Sequence, residues 1–321
     1  MPICRVSWEM LPALILLPAS ACSQTSVSPV VLYGNVDVAL GGFQRAVSGE
    51  DLRHRLTKLE SGVFSGSYLG IRGQEVLPDG GRIFFKLEAT IAVDTGAATP
   101  DFWGRTSEVG VVNDAGTWTV GNSLSLSFRG NLANSPFTVF RPWGLVGVTN
   151  FGAFQRDTLT YVSPVLAGFQ ASVQHGLSEE PGGEALRAVQ GSYARGAWTL
   201  VGTYTAGAGR RLWQWGGAYR FQGTRWFAQL AQADSARDEE RGQHAQVSVR
   251  LPLSERLALQ AAWMHAHWHD GTTRDTVVLV YEHGLTVRSS AYAGGIWQAR
   301  RGAGARSDLG RSGLLGVRLR F

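Results

Sequence analysis

The chain ends on the segment Leu315-Gly316-Val317-Arg318-Leu319-Arg320-Phe321, in which an apolar residue occupies every odd position. Glycine and arginine fill the even positions, and the last residue is aromatic. Because a β-strand turns successive side chains to opposite faces, this pattern predicts a strand with an apolar face and an arginine face. Such a strand fits either the edge of an ordinary sheet or a strand that separates lipid from water.

The composition favours many strands and tight turns. The 321 residues are 44% hydrophobic and include 41 glycines, 14 phenylalanines, 11 tryptophans and 8 tyrosines. After residue 25 no apolar run approaches the ~18 residues of a membrane-spanning helix. The net charge of +5 comes almost entirely from arginines that are scattered singly, without a nucleic-acid-binding motif. We therefore expect no nucleic-acid partner.

The first 23 residues have the features of an export signal. Arg5 precedes an apolar core at residues 11–17, and small residues follow. We expect cleavage after Ser23, which leaves a mature domain of residues 24–321, and cleavage after Ala21 is the alternative.

Both cysteines of the chain, Cys4 and Cys22, lie in this predicted signal. Its removal leaves no thiol for redox chemistry or for a cysteine metal site. Residues 19–22 also resemble a loose lipobox, so a lipid anchor on Cys22 stays open as an alternative.

From residue 30 onward the chain divides into short alternating segments separated by turn residues. About 18 residues per strand and connection suit a transmembrane barrel, and an even strand number leaves no unpaired edge in hydrocarbon. The sequence predicts an all-β fold, a closed antiparallel transmembrane β-barrel of 16 strands with long polar loops such as 42–63. The predicted strands are 30–41, 64–74, 81–93, 105–113, 116–122, 156–163, 168–177, 186–195, 197–206, 211–222, 224–234, 243–252, 256–268, 274–283, 285–298 and 311–321.

Segment 81–93 shows how the faces are assigned. Ile83, Phe85 and Leu87 alternate with Lys86 and Glu88, so the first set is expected in lipid and the second inside. A water-soluble β-sandwich alternates in the same way, and periodicity alone leaves both architectures open.

Several short sequence motifs favour the membrane barrel. The first is Val31-Leu32-Tyr33-Gly34-Asn35-Val36-Asp37, and the second is Gly70-Ile71-Arg72-Gly73-Gln74-Glu75-Val76-Leu77 followed by Phe85–Glu88. Further short motifs occur at Phe102–Arg105 with Gly116–Gly121, and at Arg156–Pro164. Together with the terminal strand, and in this order, they resemble the Gram-negative general porins.

The resemblance implies a homotrimer in the cell outer membrane, with one water-filled pore per subunit for passive diffusion of small hydrophilic solutes and ions. A third loop, here about 123–155, is expected to fold inward and narrow each pore. The implied partners are membrane lipid, lipopolysaccharide and the outer-membrane assembly machinery, and no cofactor or metal is implied. The implied assembly signal consists of Leu315, Val317, Leu319 and Phe321.

The predicted constriction departs from the family pattern. Residues 122–155 contain no Asp or Glu but include Arg129 and Arg141 among aromatic residues. An acid-free basic loop favours anions, so we predict an anion preference, unless several arginines lie in the vestibules and only shape the potential. The remaining predicted pore-lining residues are Tyr68, Arg72, Arg82, Lys86, Glu88 and Arg105.

Other functions remain as alternatives. A substrate-selective outer-membrane channel shares the same features. A barrel hydrolase needs a nucleophile with a base in reach, but the sequence has no Gly-x-Ser-x-Gly elbow. His265, His267 and His269 share one strand face and are interpreted as rim residues rather than a metal site. A secreted carbohydrate-binding protein is the third class, and we expect no enzymatic activity.

Overall fold

The computed structural model describes residues 30–43, 56–97, 101–137, 151–178, 185–235, 241–302 and 308–321. Within these ranges the chain forms seventeen β-strands and one short α-helix. The elements are β1 Val31–Phe43, β2 Leu56–Ser61, β3 Tyr68–Val76, β4 Arg82–Thr90, β5 Thr106–Asn113, β6 Gly116–Leu124, α1 Leu126–Asn134, β7 Phe154–Val162, β8 Phe169–Gly176, β9 Arg187–Arg195, β10 Trp198–Gly207, β11 Arg210–Phe221, β12 Thr224–Ser235, β13 Gly242–Pro252, β14 Leu257–Trp268, β15 Thr273–Gly284, β16 Ser289–Arg301 and β17 Asp308–Arg320. The predicted signal, 1–23, lies outside the described residues.

The sheet closes on itself between the first and last strands. Residues 35–42 of β1 pair antiparallel with residues 313–320 of β17. The other edge of β1 pairs with β3 near its start and with β2 near its end. β2 and β3 are therefore two halves of one barrel strand, and the barrel has the sixteen strand positions that the sequence predicts.

The prediction that residues 42–63 form an external loop is wrong in one part, because this range contains β2. This strand is short and carries Lys58 and Glu60, whose charges suggest a loop. Their register opposite Gly41 and Ala39 turns both side chains to the inside of the barrel. Their polarity therefore reflects the inner face rather than a departure from the sheet.

The outer face of the barrel is apolar and ringed by aromatic pairs. On β4, Ile83 is exposed on the outside of the barrel, whereas Glu88 is buried on the inside. Near the short turns, cross-strand ring pairs form at 4.4 Å between centroids: Trp118–Tyr161, Phe169–Tyr193 and Trp198–Tyr219. At the opposite end Tyr204 and Trp213 pair at 4.1 Å. Two aromatic belts bounding an apolar band are typical of membrane barrels.

The predicted Gln222-Gly223 turn shows why the short connections are tight. Gln222 has φ 47° and Gly223 has φ 78°, so both residues are left-handed. Two such residues form the turn whose twist matches a β-hairpin, and glycine accepts this conformation without a steric cost. Among the described residues, no helix has the length and apolar character needed to cross a membrane.

Candidate functional site

The inner faces of β3, β4 and β5 bring the predicted charged residues together. Arg72 lies opposite Lys86, which in turn lies opposite Glu108 on the next strand. Glu88 lies one inward position further along β4 from Lys86. Residues paired in this way share a face, so the register of three strands alone places these four charges on one patch of the inner wall.

Glu88 is the centre of this patch. Its carboxylate accepts a hydrogen bond from Tyr33 Oη at 2.7 Å and one from Arg105 Nε at 2.9 Å. The Lys86 ammonium lies 3.9 Å from the same carboxylate. The Arg105 guanidinium also covers the Tyr68 ring, with its carbon 4.3 Å from the ring centroid. This carboxylate therefore fixes the position of two cationic side chains on the wall.

Glu108 is similarly engaged. Its carboxylate lies 3.4 Å from Lys86 Nζ and accepts a 2.7 Å hydrogen bond from Ser123 Oγ. Arg72 lies over the Tyr33 ring at 4.9 Å and is exposed. The patch as described thus carries the cations Arg72, Lys86 and Arg105 against two carboxylates.

The remaining predicted residues are distributed differently. Arg82 begins β4 beside the short turn, opposite Val76 and Val112, about 13 Å along the strand from Lys86 at ~3.3 Å per residue. It therefore belongs to that end of the barrel rather than to the patch. Arg129 lies on α1 and is partly buried. Arg141 lies outside the described residues.

α1 is seated on the inner faces of β8 to β12 by polar contacts. Ser125 caps its N-terminus by accepting a 3.2 Å hydrogen bond from the Phe128 N–H. Asn131 Oδ1 accepts from Gln214 Nε2 at 2.7 Å and also from Gln229 Nε2. Gln190 Nε2 donates to the Leu126 carbonyl at 2.9 Å. These contacts hold α1 against glutamine side chains of the barrel wall. Residues 138–150 of the predicted constriction segment lie outside the described residues.

Several inward residues were not assigned as site residues from the sequence. Tyr33, Glu108 and Asp37 are lumen residues, and Glu282 forms an ion pair with Arg318. Period-two alternation could have placed each of them on the inner face. Alternation could not have shown which of these side chains contact each other, because those contacts depend on the register between strands of the closed sheet.

The terminal strand faces the outside as expected. Leu315, Val317 and Leu319 are exposed on the outer surface, and Phe321 is exposed as well. The Phe321 backbone exchanges two hydrogen bonds with Gly34, at 3.0 and 3.2 Å. The ring lies over Gly34, where a Cβ would come within 2.6 Å of the ring carbon Cζ. Gly34 therefore provides the space that the terminal ring occupies.

The predicted histidine cluster lies on the outer rim. His265 Nδ1 is 2.9 Å from Asp275 Oδ1, and the His265 ring stacks on Trp263. In the part of the chain that the structure describes, no three or more His, Cys, Asp or Glu side chains are grouped to hold a metal ion.

A closed barrel with an apolar outer band, a charged inner wall and a helix seated inside it defines a channel-forming outer-membrane protein. The family model described as Gram-negative porin matches residues 12–298. The chain belongs to the Gram-negative porin family, and it forms an outer-membrane channel for passive diffusion.

Individual proteins resemble the chain over most of its length. The major outer membrane protein P.IB of Neisseria meningitidis serogroup A is 25% identical over 97% of this chain and all of that protein. The anion-selective porin from Comamonas acidovorans superposes with a TM-score of 0.77 at 21% identity, covering 92% of this chain and 100% of that chain. The trimer form of OmpT from Vibrio cholerae superposes at 0.69 with 14% identity, covering 92% and 100%. The two structural likenesses show the shared fold.

Proposed function

We propose that this channel prefers anions. The observation that carries the proposal is the charge of the inner wall, where three cations, Arg72, Lys86 and Arg105, lie on one patch with two carboxylates, Glu88 and Glu108. The segment 122–155 contains two arginines and no Asp or Glu. The cationic excess lowers the energy of an anion in the pore and raises that of a cation.

The two carboxylates position cations more than they attract permeant cations. Glu88 is occupied by Tyr33 and Arg105, and Glu108 by Lys86 and Ser123. Both carboxylates are buried, whereas Arg72 is exposed. A permeating ion therefore meets the guanidinium of Arg72 before either carboxylate. The name of the similar Comamonas acidovorans structure, an anion-selective porin, supports the same proposal.

The test is the reversal potential of single channels in a planar bilayer under a KCl gradient. We expect the wild type to favour chloride, and the double variant Arg72→Gln/Lys86→Gln to lose most of that preference. The matched control is Arg195→Gln, which removes an exposed charge beside the lipid-facing Trp198. A clear cation preference of the wild type would contradict the proposal, as would equal effects of the double variant and the control.

A substrate-selective channel for small organic anions is the second candidate. Arg105 lies between two rings, 4.3 Å from the Tyr68 centroid and 5.1 Å from the Phe154 centroid. A guanidinium flanked by aromatic faces suits a solute that carries both a carboxylate and an apolar body. Liposome swelling with aromatic and aliphatic carboxylates of equal charge separates the candidates, because only a selective channel admits an aromatic carboxylate faster than a smaller aliphatic one.

We further propose that the channel is a homotrimer surrounded by membrane lipid and lipopolysaccharide, and that the outer-membrane assembly machinery recognises its terminal strand. Membership of the Gram-negative porin family and the similarity to the trimer form of OmpT from Vibrio cholerae support this proposal. Chemical cross-linking in detergent is expected to give a ladder that ends at three subunits. We assign transport rather than catalysis, so acyl-hydrolase and protease assays of the refolded protein are expected to give background rates.

A further inference from the structure

A second group of polar side chains lies on the inner wall of β13 to β16, apart from the charged patch on β3 to β5. The strand register aligns four residues in one row: His244, Ala266, Arg274 and Arg300. Ala266 belongs to a buried cluster on the inner face, and paired residues share a face, so the whole row faces the inside of the barrel. The row lies beside the 269–272 connection, at the end opposite the short turns. Short turns mark the periplasmic end of bacterial barrels, so the row lies at the external end.

His244 is the buried member of this row that carries ring nitrogens. Its side chain is 2% exposed, and among the described residues neither Nδ1 nor Nε2 has a hydrogen-bond partner. The next inward residue of β13, Gln246, donates its amide to Ser135 and, at 3.3 Å, to Ser248 Oγ. A neutral imidazole offers one donor and one acceptor, and leaving both unmet inside a protein costs free energy. The ring therefore suits a ligand that both accepts and donates a hydrogen bond.

Arg274 approaches the same place from the other side of Ala266. Two strand spacings of ~4.8 Å separate the Cα atoms of His244 and Arg274 by about 10 Å, and an arginine side chain can extend across this gap. The Ala266 side chain between them is a single methyl group. The buried Nε of Arg274 has no hydrogen-bond partner in the part of the chain that the structure describes. This guanidinium therefore adds a charged donor to the ring nitrogens of His244.

The charge of the row favours an anion. Arg274 and Arg300 pair directly across adjacent strands, and like charges in this position repel each other. The next residue of the row, Asp308, pairs with Arg300 and not with Arg274. An anion between Arg274 and His244 would relieve the repulsion and would use the buried Nε as a donor.

Aromatic rings surround these polar groups. The Arg274 guanidinium lies over the Trp268 ring, with its carbon 5.2 Å from the centroid. Trp268 and Phe151 both pack against the apolar cluster that contains Ala266. Such surroundings lower the local dielectric constant, so a hydrogen bond to a charged ligand is stronger here than in open water.

We propose that His244 and Arg274 form a binding site for a small oxyanion that keeps a proton, with hydrogen phosphate as its simplest example. The phosphate oxygens accept hydrogen bonds from the guanidinium and from the imidazole N–H, and the P–OH group donates to the other imidazole nitrogen. Sulfate has the same shape and charge but carries no proton at neutral pH, so it leaves that nitrogen unpaired. The site goes beyond passive diffusion, because it retains one class of solute at the external mouth. It does not depend on the anion preference proposed for the channel.

Equilibrium dialysis with radiolabelled inorganic phosphate tests the site. The protein is purified from outer membranes in detergent and dialysed at pH 7 in a constant concentration of chloride. Unlabelled phosphate or sulfate is then added as a competitor. We expect saturable binding, and we expect phosphate to displace the label at concentrations at least about tenfold lower than sulfate does.

Two variants test the residues. We expect His244→Phe and Arg274→Gln each to weaken phosphate binding at least about tenfold, and the first to abolish the discrimination against sulfate as well. The matched controls are His265→Phe and Arg301→Gln, which change the same residue types on the outer face of neighbouring positions and are expected to leave binding unchanged. Heat-modifiable migration on a gel verifies that every variant is folded.

Three results would overturn the inference. They are a folded wild type without saturable phosphate binding, equal displacement by phosphate and sulfate, and variants that bind phosphate as well as their controls do. Dialysis measures binding whether or not the protein conducts. A cation preference in the bilayer with intact phosphate binding would therefore contradict the proposed anion preference and leave this site supported.

Discussion

Glu88 is the residue that organises the charged wall. Four neighbours approach its carboxylate within 3.9 Å: Tyr33, Lys86, Arg105 and Thr106. A charge-assisted hydrogen bond of this kind is stronger than a neutral one and fixes the direction of the guanidinium. We therefore expect Glu88 to act at this wall by holding its cations in place, in addition to the direct effect of its charge on permeant ions.

Glu88→Gln is expected to increase the anion preference. The amide keeps the shape of the side chain but removes one negative charge. At ~8 Å in water this lowers the energy of an anion and raises that of a cation by about 0.5 kcal/mol each, or roughly a sixfold change in the anion-to-cation permeability ratio. The reversal potential in a KCl gradient measures it. Glu75→Gln, an exposed residue of β3, is the control and is expected to change the ratio little. A shift toward cations in Glu88→Gln would contradict the assignment.

Deletion of Phe321 is expected to lower the amount of folded barrel more than the conductance of each channel. The residue closes the β1–β17 seam through two backbone hydrogen bonds to Gly34, and its ring fills the space over that glycine. The folded fraction is measured as the heat-modifiable band on a gel, and conductance in a planar bilayer. Leu230→Ala removes an exposed outer side chain of β12, outside the terminal strand, and serves as the control. Normal folded levels in the deletion would argue against an assembly role.

Residues of the wall were predictable from the sequence to the extent that alternation decides their face. Arg72, Lys86 and Glu88 lie inside, as period two predicts. Arg82 shares their parity but lies near the turn, because distance along the strand decides depth and alternation does not. The engagement of Glu108 with Lys86 depends on register between strands, which no local pattern encodes.

At the scale of elements, α1 is the part that the periodicity did not indicate. Its buried residues are Leu126, Ser127, Gly130, Asn131 and Asn134, so its contact face is largely polar and small. An apolar stripe is the signal by which a helix is ordinarily found in sequence, and this helix lacks one. It is held instead by amide side chains of the barrel wall.

Asn131→Ala is expected to destabilise this arrangement. It removes the acceptor that Gln214 and Gln229 share, and each buried donor left unpaired costs about 1–3 kcal/mol. Thermal unfolding in detergent measures the loss, and channel noise reports movement of α1. Asn134→Ala is the matched control, because the described residues offer its side-chain amide no hydrogen-bond partner. Equal losses of stability in the two variants would contradict the role of Asn131.

At the scale of the whole molecule, the barrel is defined by its closure. The first and last strands pair over residues 35–42 and 313–320, so closure of the sheet requires both strands. Hydrocarbon cannot satisfy an unpaired strand edge, so closure is a requirement of the membrane rather than a detail of this chain. The predicted signal precedes the first strand in the sequence.

Removal of residues 1–23 during export is expected, with Gln24 as the new N-terminus. Intact mass and N-terminal sequencing of the protein from purified outer membranes measure it. The control is the same protein from inclusion bodies, which is expected to retain the full length of 321 residues. A mass that includes residues 1–23, or an acylated Cys22, would contradict cleavage at this position.

The sequence by itself determined the class of this protein. Alternation, turn residues and the terminal strand are local patterns, and a membrane accepts only one architecture built from such strands, a closed barrel. The tertiary structure alone decided which inward residues meet. Lys86 contacts Glu108, and Phe137 joins Val280 and Ile296, because strands far apart in sequence become neighbours inside the closed sheet. Local patterns fix the face of a side chain, but its partners depend on register, closure and the segments that fold into the barrel.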